Sequence, residues 1–368
     1  MGFFKPKNRW RASEKIFPPD NPEYKHIYHP EKTIKIANLL FTRKCNLNCF
    51  YCRISGNINY ENKPMSYPDK SDYFKSEKDT EYWIECVDRL YKHNKDVFLV
   101  NYGGELFLRK DMWKIIKHCN DIGINYTIIS SCNPGIQSLI HEFFGKLGSK
   151  VKGFTASVDP GFYSLDQDND VIVKSASGFE FLKELIALDL VDDPVAEITV
   201  DSSNMDYLID TVKILSSEGI TSSITFIEPA KNEWYDFSSI TDDSLIVSKS
   251  QKIKGILRTL AESDYKIHMK NEILPMVYDY LPNQMTDCGI EDTLHNITID
   301  SDGRMRLCLR IRGEYLPKID FTDLLDENGT INKSVHNLYR FDKEKCCEGC
   351  IWTCPMMSKF ESSGIINH

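Results

Sequence analysis

The sequence predicts an α/β fold in which six strands alternate with helices, the count of a six-stranded partial (β/α) barrel. Three observations predict it. Short apolar runs recur between residues 34 and 262, separated by stretches with helical apolar spacing. The runs are continuous rather than alternating, as expected of parallel strands covered on both faces. Chemistry-bearing residues fall just past the ends of the runs, where α/β folds place their sites. A doubly wound sheet satisfies the same local pattern.

Residues 1–33 are polar and interrupted by Pro18, Pro19, Pro22 and Pro30, which predicts an arm rather than a domain. Lys5, Lys7, Arg9, Arg11 and Lys15 make its tip basic, with Phe3, Phe4 and Trp10 interleaved. The first strand is expected at 34–42. Residues 53–78 are rich in Asn, Lys, Tyr and Ser and form a long loop of the kind that covers sites. Helices are expected at 80–92, 111–121, 137–147, 178–188, 207–215 and 251–262. Strands are expected at 97–100, 126–129, 154–158, 196–200 and 224–227. The expected organisation is an arm (1–33), a barrel (34–265) and a smaller C-terminal α+β domain (266–368).

Hydrophobic residues make up 41% and charged residues 27% of the chain, the balance of a globular protein. No apolar run approaches the ~20 residues of a membrane span. The beginning of the chain has neither a signal-peptide core nor, with Pro6 in place, a myristoylation pattern. These features point to the cytoplasm and to no membrane partner. A net charge of −9 carries no overall basic footprint for nucleic acid.

The twelve cysteines are clustered. Cys45, Cys49 and Cys52 are spaced Cys-x-x-x-Cys-x-x-Cys directly after the first strand. Cys288, Cys308, Cys346, Cys347, Cys350 and Cys354 lie near the other end, and only Cys86, Cys119 and Cys132 lie between. Such clustering without an export signal argues for metal rather than disulfides. Three thiolates on one loop suit three irons of a cubane cluster and leave the fourth iron open. A zinc knuckle is the competing assignment, but no Cys or His falls between Cys52 and Cys86 to complete it. Cys86 and Cys119 sit on helical patterns and are expected in the core.

The cysteine spacing, with Tyr51 directly before the last thiol, resembles the signature of the radical S-adenosylmethionine (radical SAM) family. The resemblance implies a partial barrel and a [4Fe–4S] cluster on Cys45, Cys49 and Cys52. Its open iron would chelate S-adenosylmethionine, and Tyr51 would lie near the adenine. Reductive cleavage would give a 5′-deoxyadenosyl radical that abstracts a substrate hydrogen. After the second strand, Gly103-Gly104-Glu105 resembles the family's Gly-Gly-Glu motif, which implies cosubstrate contacts there; Leu106 stands where members often have proline. Ser131, Asn133, Ser157, Asp159 and Asn204 follow later strands, where the family places polar residues against the cosubstrate. Helix capping is the competing role for such residues. Cys132 is a candidate hydrogen-atom donor or a buried small hydrophobe, and Glu228 a candidate general base.

Ile297, Ile299, Met305 and Leu307 alternate around Asp302-Gly303, which predicts a hairpin. Cys288, this hairpin and Cys308 resemble the opening of the family's SPASM and twitch extensions. The resemblance implies one auxiliary [4Fe–4S] cluster on Cys288, Cys308, Cys347 and Cys350, with Cys354 and Cys346 as alternates. A structural zinc ribbon is the other reading of that group. The implied function is oxidative modification or crosslinking of a ribosomal peptide, with a reducing partner such as flavodoxin or ferredoxin. Dehydrogenation or rearrangement of a small metabolite, and a non-catalytic metal scaffold, are the alternatives.

Overall fold

A computed structural model of the chain describes residues 33–47, 49, 52, 56–57, 76–163, 170–227, 244, 246–248, 250–268, 296–306 and 319–332. The strands are β1 (Ile36–Leu40), β2 (Lys44–Cys45), β3 (Gly56–Asn57), β4 (Phe98–Tyr102), β5 (Asn125–Ser130), β6 (Val151–Ser157), β7 (Val191–Val200), β8 (Thr221–Phe226), β9 (Asn296–Ile299) and β10 (Met305–Arg306). The main helices are α1 (Thr80–His93), α2 (Met112–Ile122), α3 (Gln137–Leu147), α4 (Asp170–Ala187), α5 (Leu208–Ser217) and α6 (Gln251–Glu262). One sheet has the order β10-β9-β1-β4-β5-β6-β7-β8. All of its neighbours pair in parallel except β9 and β10.

From β1 through β8 the strands of this sheet follow one another in chain order. Right-handed crossovers then put every helix on the same side, as in a singly wound barrel and unlike a doubly wound sheet. The packing shows which side. Phe41 meets Trp83 of α1 edge-on, and Phe154 of β6 packs against Phe107 and Phe144. Leu99, Ile128, Phe154, Ala196, Ile198 and Ile224 share that face and are buried with the helices. The opposite face is the concave one. At the far edge Ser222 of β8 bridges Ile267, so this edge is covered rather than joined to β9.

All six expected strands and six expected helices are present. Strands β6 and β8 each begin three residues before the expected position, and two elements begin earlier still. Helix α4 begins at Asp170 and passes through Gly178. A Cβ at Gly178 would lie 2.9 Å from the Ser157 carbonyl oxygen, so this glycine lets the helix rest on the strand ends. Strand β7 begins at Val191, with Asp192 and Asp193 exposed at its amino end.

The hairpin expected at the start of the C-terminal domain is present as β9 and β10. Its first strand pairs with β1 from Ile36↔Asn296 to Leu39↔Ile299, as a seventh parallel strand of the barrel sheet. Gly303 makes the turn with φ +84°. Cys288, Cys308, Cys346, Cys347, Cys350 and Cys354 lie outside the described residues, as do residues 1–32 and most of the 53–78 loop. Among the described residues no helix is long and apolar enough to cross a membrane.

Candidate active site at the carboxyl ends of the strands

Strand β1 delivers the chain to Thr42, Arg43, Lys44 and Cys45 at the carboxyl edge of the sheet. Four sets of contacts fasten this stem. The first is backbone. Phe41 N–H donates to Tyr102 O (3.1 Å), Gly104 N–H to Thr42 O (2.7 Å) and Glu105 N–H to Lys44 O (2.7 Å). The glycines permit that approach. A Cβ at Gly103 would lie 2.5 Å from Thr42 O, and one at Gly104 2.3 Å from Lys44 O. The motif was expected to open space for a ligand; the space its missing side chains leave is filled by the cysteine-loop backbone.

The second contact is Glu77, whose Oε1 accepts from Thr42 Oγ1 (2.7 Å) and whose Oε2 pairs with Lys44 Nζ (3.2 Å). The third is a buried ion pair. Arg43 donates from Nε to Asp300 Oδ1 (3.0 Å) and from Nη2 to Asp300 Oδ2 (2.6 Å), with the side chains 2% and 0% exposed. Asp300 directly follows β9, so this fork joins the cysteine stem to the seventh strand. The fourth is a reciprocal amide pair. Asn46 Nδ2 donates to Asn133 Oδ1 (3.0 Å), and Asn133 Nδ2 donates back to Asn46 Oδ1 (3.3 Å).

Beyond the stem, β2 pairs in parallel with β3, matching Lys44 to Gly56 and Cys45 to Asn57, so the cysteine excursion closes beside its own start. Cys52 N–H donates to Cys49 O (3.1 Å) within it. Cys45, Cys49 and Cys52 carry no disulfide; Cys45 is buried and the other two are partly exposed. Burial pushes the Cys45 thiol up to about 12, and Cys52 and Cys49 push it the same way. Metal binding there would therefore displace a proton.

Among the described residues, no three His, Cys, Asp or Glu side chains converge as ligands of one ion. Three soft thiol donors on one loop, with no disulfide between them, are chemically suited to an iron–sulfur cluster. The residues present fit the cluster.

Glu105 is 1% exposed and fully engaged. Its Oε2 accepts from Ser131 N–H (3.1 Å) and Ser131 Oγ (2.7 Å), and its Oε1 from Ser130 Oγ (3.0 Å) and Phe107 N–H (3.4 Å). Burial pushes its carboxyl pKa up, and the bonds from Ser131, Ser130 and Phe107 pull the other way. Backbone N–H groups face both oxygens, so a glutamine in either orientation would set its NH2 against one of them. Glu105→Gln is therefore expected to destabilise the protein by about 1–3 kcal/mol, read as a lower urea midpoint with unchanged slope.

Ser131 Oγ also accepts from Asn133 Nδ2 (2.7 Å), which links Glu105, Ser131, Asn133 and Asn46 in one chain. Asn204 braces the turn after β7: its Oδ1 accepts from Asp201 N–H (2.9 Å) and its Nδ2 donates to Thr199 O (3.1 Å). Asp159 is buried, with Oδ1 accepting from Thr199 N–H (3.3 Å). Ser157 is partly exposed on the concave face. Cys132 takes a left-handed conformation (φ 50°), its thiol has no exposure, and burial holds its pKa well above the usual range. That position is a core position and lends no support to hydrogen-atom donation. Cys86 and Cys119 are buried in α1 and α2, as expected. Tyr51 and Glu228 lie outside the described residues.

Sequence reasoning passed over Arg43, Asp300, Glu77, Asn46 and Glu197. A basic residue two positions before the first cysteine and an acid at a strand end were visible as types, but not as a pair.

Comparison with solved structures places the fold. Streptococcus suis SuiB bound to S-adenosylmethionine superposes with a TM-score of 0.56 at 12% identity, over 83% of this chain and 67% of that one. SuiB bound to the precursor peptide SuiA gives 0.57 at 13% identity, over 89% and 72%. Native anSMEcpe with bound AdoMet and the Cp18Cys peptide gives 0.51 at 12% identity, over 90% and 97%. The fold is the partial barrel of the radical SAM type. No family model matches the chain. The uncharacterized protein MJ0907 of Methanocaldococcus jannaschii is 30% identical over 207 residues, which span 53% of this chain and 63% of that protein.

Proposed function

We propose that the chain is a radical SAM enzyme that modifies a peptide substrate oxidatively. The observation that carries this reading is the stem of Thr42, Arg43, Lys44 and Cys45, tied by backbone, ion-pair and amide contacts to the carboxyl ends of β4, β5 and β9. Such fastening presents three thiols at the edge where barrels of this kind do chemistry. Bound to Cys45, Cys49 and Cys52, a [4Fe–4S] cluster with S-adenosylmethionine would supply carbon–sulfur cleavage and abstraction of a substrate hydrogen.

The chain's own residues do the positioning. Gly103 and Gly104 let the cysteine stem settle against β4. Glu105, Ser131 and Asn133 form the braced floor beside it, and Ser157 and Asp159 flank the concave wall. Tyr51 is assigned to the adenine, and Asn204 holds the turn after β7. The C-terminal cysteines Cys288, Cys308, Cys347 and Cys350 are assigned to one auxiliary cluster, which would take an electron from the substrate and make the net reaction an oxidation. A flavodoxin or ferredoxin would supply reducing electrons. The lean towards a peptide is supported by the peptides bound to SuiB and anSMEcpe, which share the fold. An arm over residues 1–33 and a C-terminal extension from residue 266, whose strand β9 joins the barrel sheet beside β1, are part of the same proposal.

Anaerobic reconstitution followed by dithionite and S-adenosylmethionine should yield 5′-deoxyadenosine. Its absence from protein that has taken up iron and sulfide would leave only the scaffold reading. The Cys45→Ala, Cys49→Ala, Cys52→Ala variant should lose that product and keep iron at the auxiliary site alone.

A further inference from the structure

From β5 to β8 the concave face of the sheet is mostly polar, with Ile129 and Val195 as its branched apolar positions, where a filled barrel would carry bulky branched side chains throughout. It presents Thr127, Thr155, Ser157, Glu197, Ser223 and Thr225. The registers Ser157↔Glu197 and Glu197↔Ser223 put the acid between hydroxyls on both neighbouring strands. Thr127 and Thr155 hydrogen-bond each other (3.0 Å). Thr225 Oγ1 donates to Glu197 Oε1, and Ser223 also donates to this carboxyl.

Both donors are neutral. Among the described residues no Lys, Arg or His forms an ion pair with Glu197; Glu105, likewise without a cation, is met instead by two serine hydroxyls and two backbone N–H groups. Asp159, one strand over, is a second acid close enough to act on it. Burial pushes the Glu197 carboxyl pKa up, Ser223 and Thr225 oppose the shift, and Asp159 adds to it. Residue 197 is partly exposed, and its register with Ser157 and Ser223 places it on the concave face. A carboxyl on the concave face with no balancing cation among the described residues is a group that an incoming cation stabilises.

We propose that Glu197 reads a cationic nitrogen group of the substrate, an ammonium or a guanidinium, against the hydroxyl-lined wall of the half-barrel. This rests on taking the concave face as the substrate side of the proposed enzyme, and it narrows the peptide to one presenting lysine or arginine at the site. Glu197 is then a specificity-determining residue, with Ser223 and Thr225 orienting its carboxylate.

The test uses reconstituted full-length protein and four probes: the N-acetyl amides of lysine, arginine, norleucine and glutamate, compared by saturation-transfer NMR. The lysine and arginine probes should bind roughly tenfold or more tightly than norleucine, and Glu197→Gln should abolish that margin while leaving norleucine unchanged. Thr225→Val, which keeps the charge, should retain the preference. Equal binding of charged and neutral probes by the unaltered protein overturns the proposal, and so does a preference that survives Glu197→Gln. If Glu197→Gln does not fold, the comparison of lysine with norleucine on the unaltered protein decides alone. Formation of 5′-deoxyadenosine by the same preparation is scored separately. Its failure with the cation preference intact removes the enzymatic reading but not the recognition, and the reverse result removes only the recognition.

Discussion

Asp300→Ala is expected to lower the unfolding free energy by about 3–5 kcal/mol, the cost of leaving one member of a buried ion pair without its partner. The geometry sets the size of this effect. Arg43 donates from two nitrogens to both oxygens of Asp300, with the side chains 2% and 0% exposed, so water cannot replace the lost carboxylate without opening the strand ends. The pair also joins distant parts of the chain, the cysteine stem after β1 and the turn after β9. Iron uptake at the loop should therefore fall with stability. A double variant, Arg43→Met with Asp300→Leu, should recover most of the loss, because apolar groups of similar volume remove both desolvation costs together. Urea unfolding of the single and double variants measures this. A loss under about 1 kcal/mol for Asp300→Ala would place the pair in the range of solvent-screened bridges and contradict the structure.

Gly104→Ala is the second large effect. The added Cβ would fall 2.3 Å from Lys44 O and 2.6 Å from Arg43 O, both main-chain atoms that cannot rotate aside. Relief requires the cysteine stem to lift from β4, breaking the bonds from Gly104 N–H to Thr42 O and from Glu105 N–H to Lys44 O. Overpacking of this kind costs about 1–3 kcal/mol or more. Its specific signature is displacement of Cys45, so iron bound per chain after reconstitution should drop several-fold while far-ultraviolet circular dichroism is kept. Gly145→Ala, where an added Cβ meets nothing within 4 Å, is the matched control and should leave iron uptake unchanged.

How much of this was legible in the sequence depended on range. The six strands from β1 to β8 that build the barrel could be read because each carries apolar residues at its core-facing positions and helical patterns separate them; β5, β7 and β8 alternate in burial, because only their helix-side face is covered, rather than being apolar on both faces as expected. The cysteine stem could be read because its position just past a strand is a local fact. The β9–β10 hairpin was visible from Ile297, Ile299 and Met305 around Asp302-Gly303. Its pairing with residues 36–39 was not, because no local pattern encodes a partner more than 250 residues away. The same blindness hid Arg43 and Asp300. Glu197, in Ala196-Glu197-Ile198-Thr199-Val200, looked like an ordinary polar position of a half-covered strand; only the sheet order shows that its face is concave. Gly103 and Gly104 stood out in the sequence as a motif for cosubstrate contact; the atoms nearest their missing side chains are backbone of the cysteine-loop stem, a packing that no local pattern shows.

The proposed function requires Cys45, Cys49 and Cys52 to ligate a cluster with one iron left for S-adenosylmethionine. Electron paramagnetic resonance of the dithionite-reduced, reconstituted protein tests it most directly. The signal that disappears in the Cys45→Ala, Cys49→Ala, Cys52→Ala variant should shift when S-adenosylmethionine is added to the unaltered protein. A signal from this loop that is identical with and without S-adenosylmethionine would show that no iron is open to the cosubstrate, and would contradict the account.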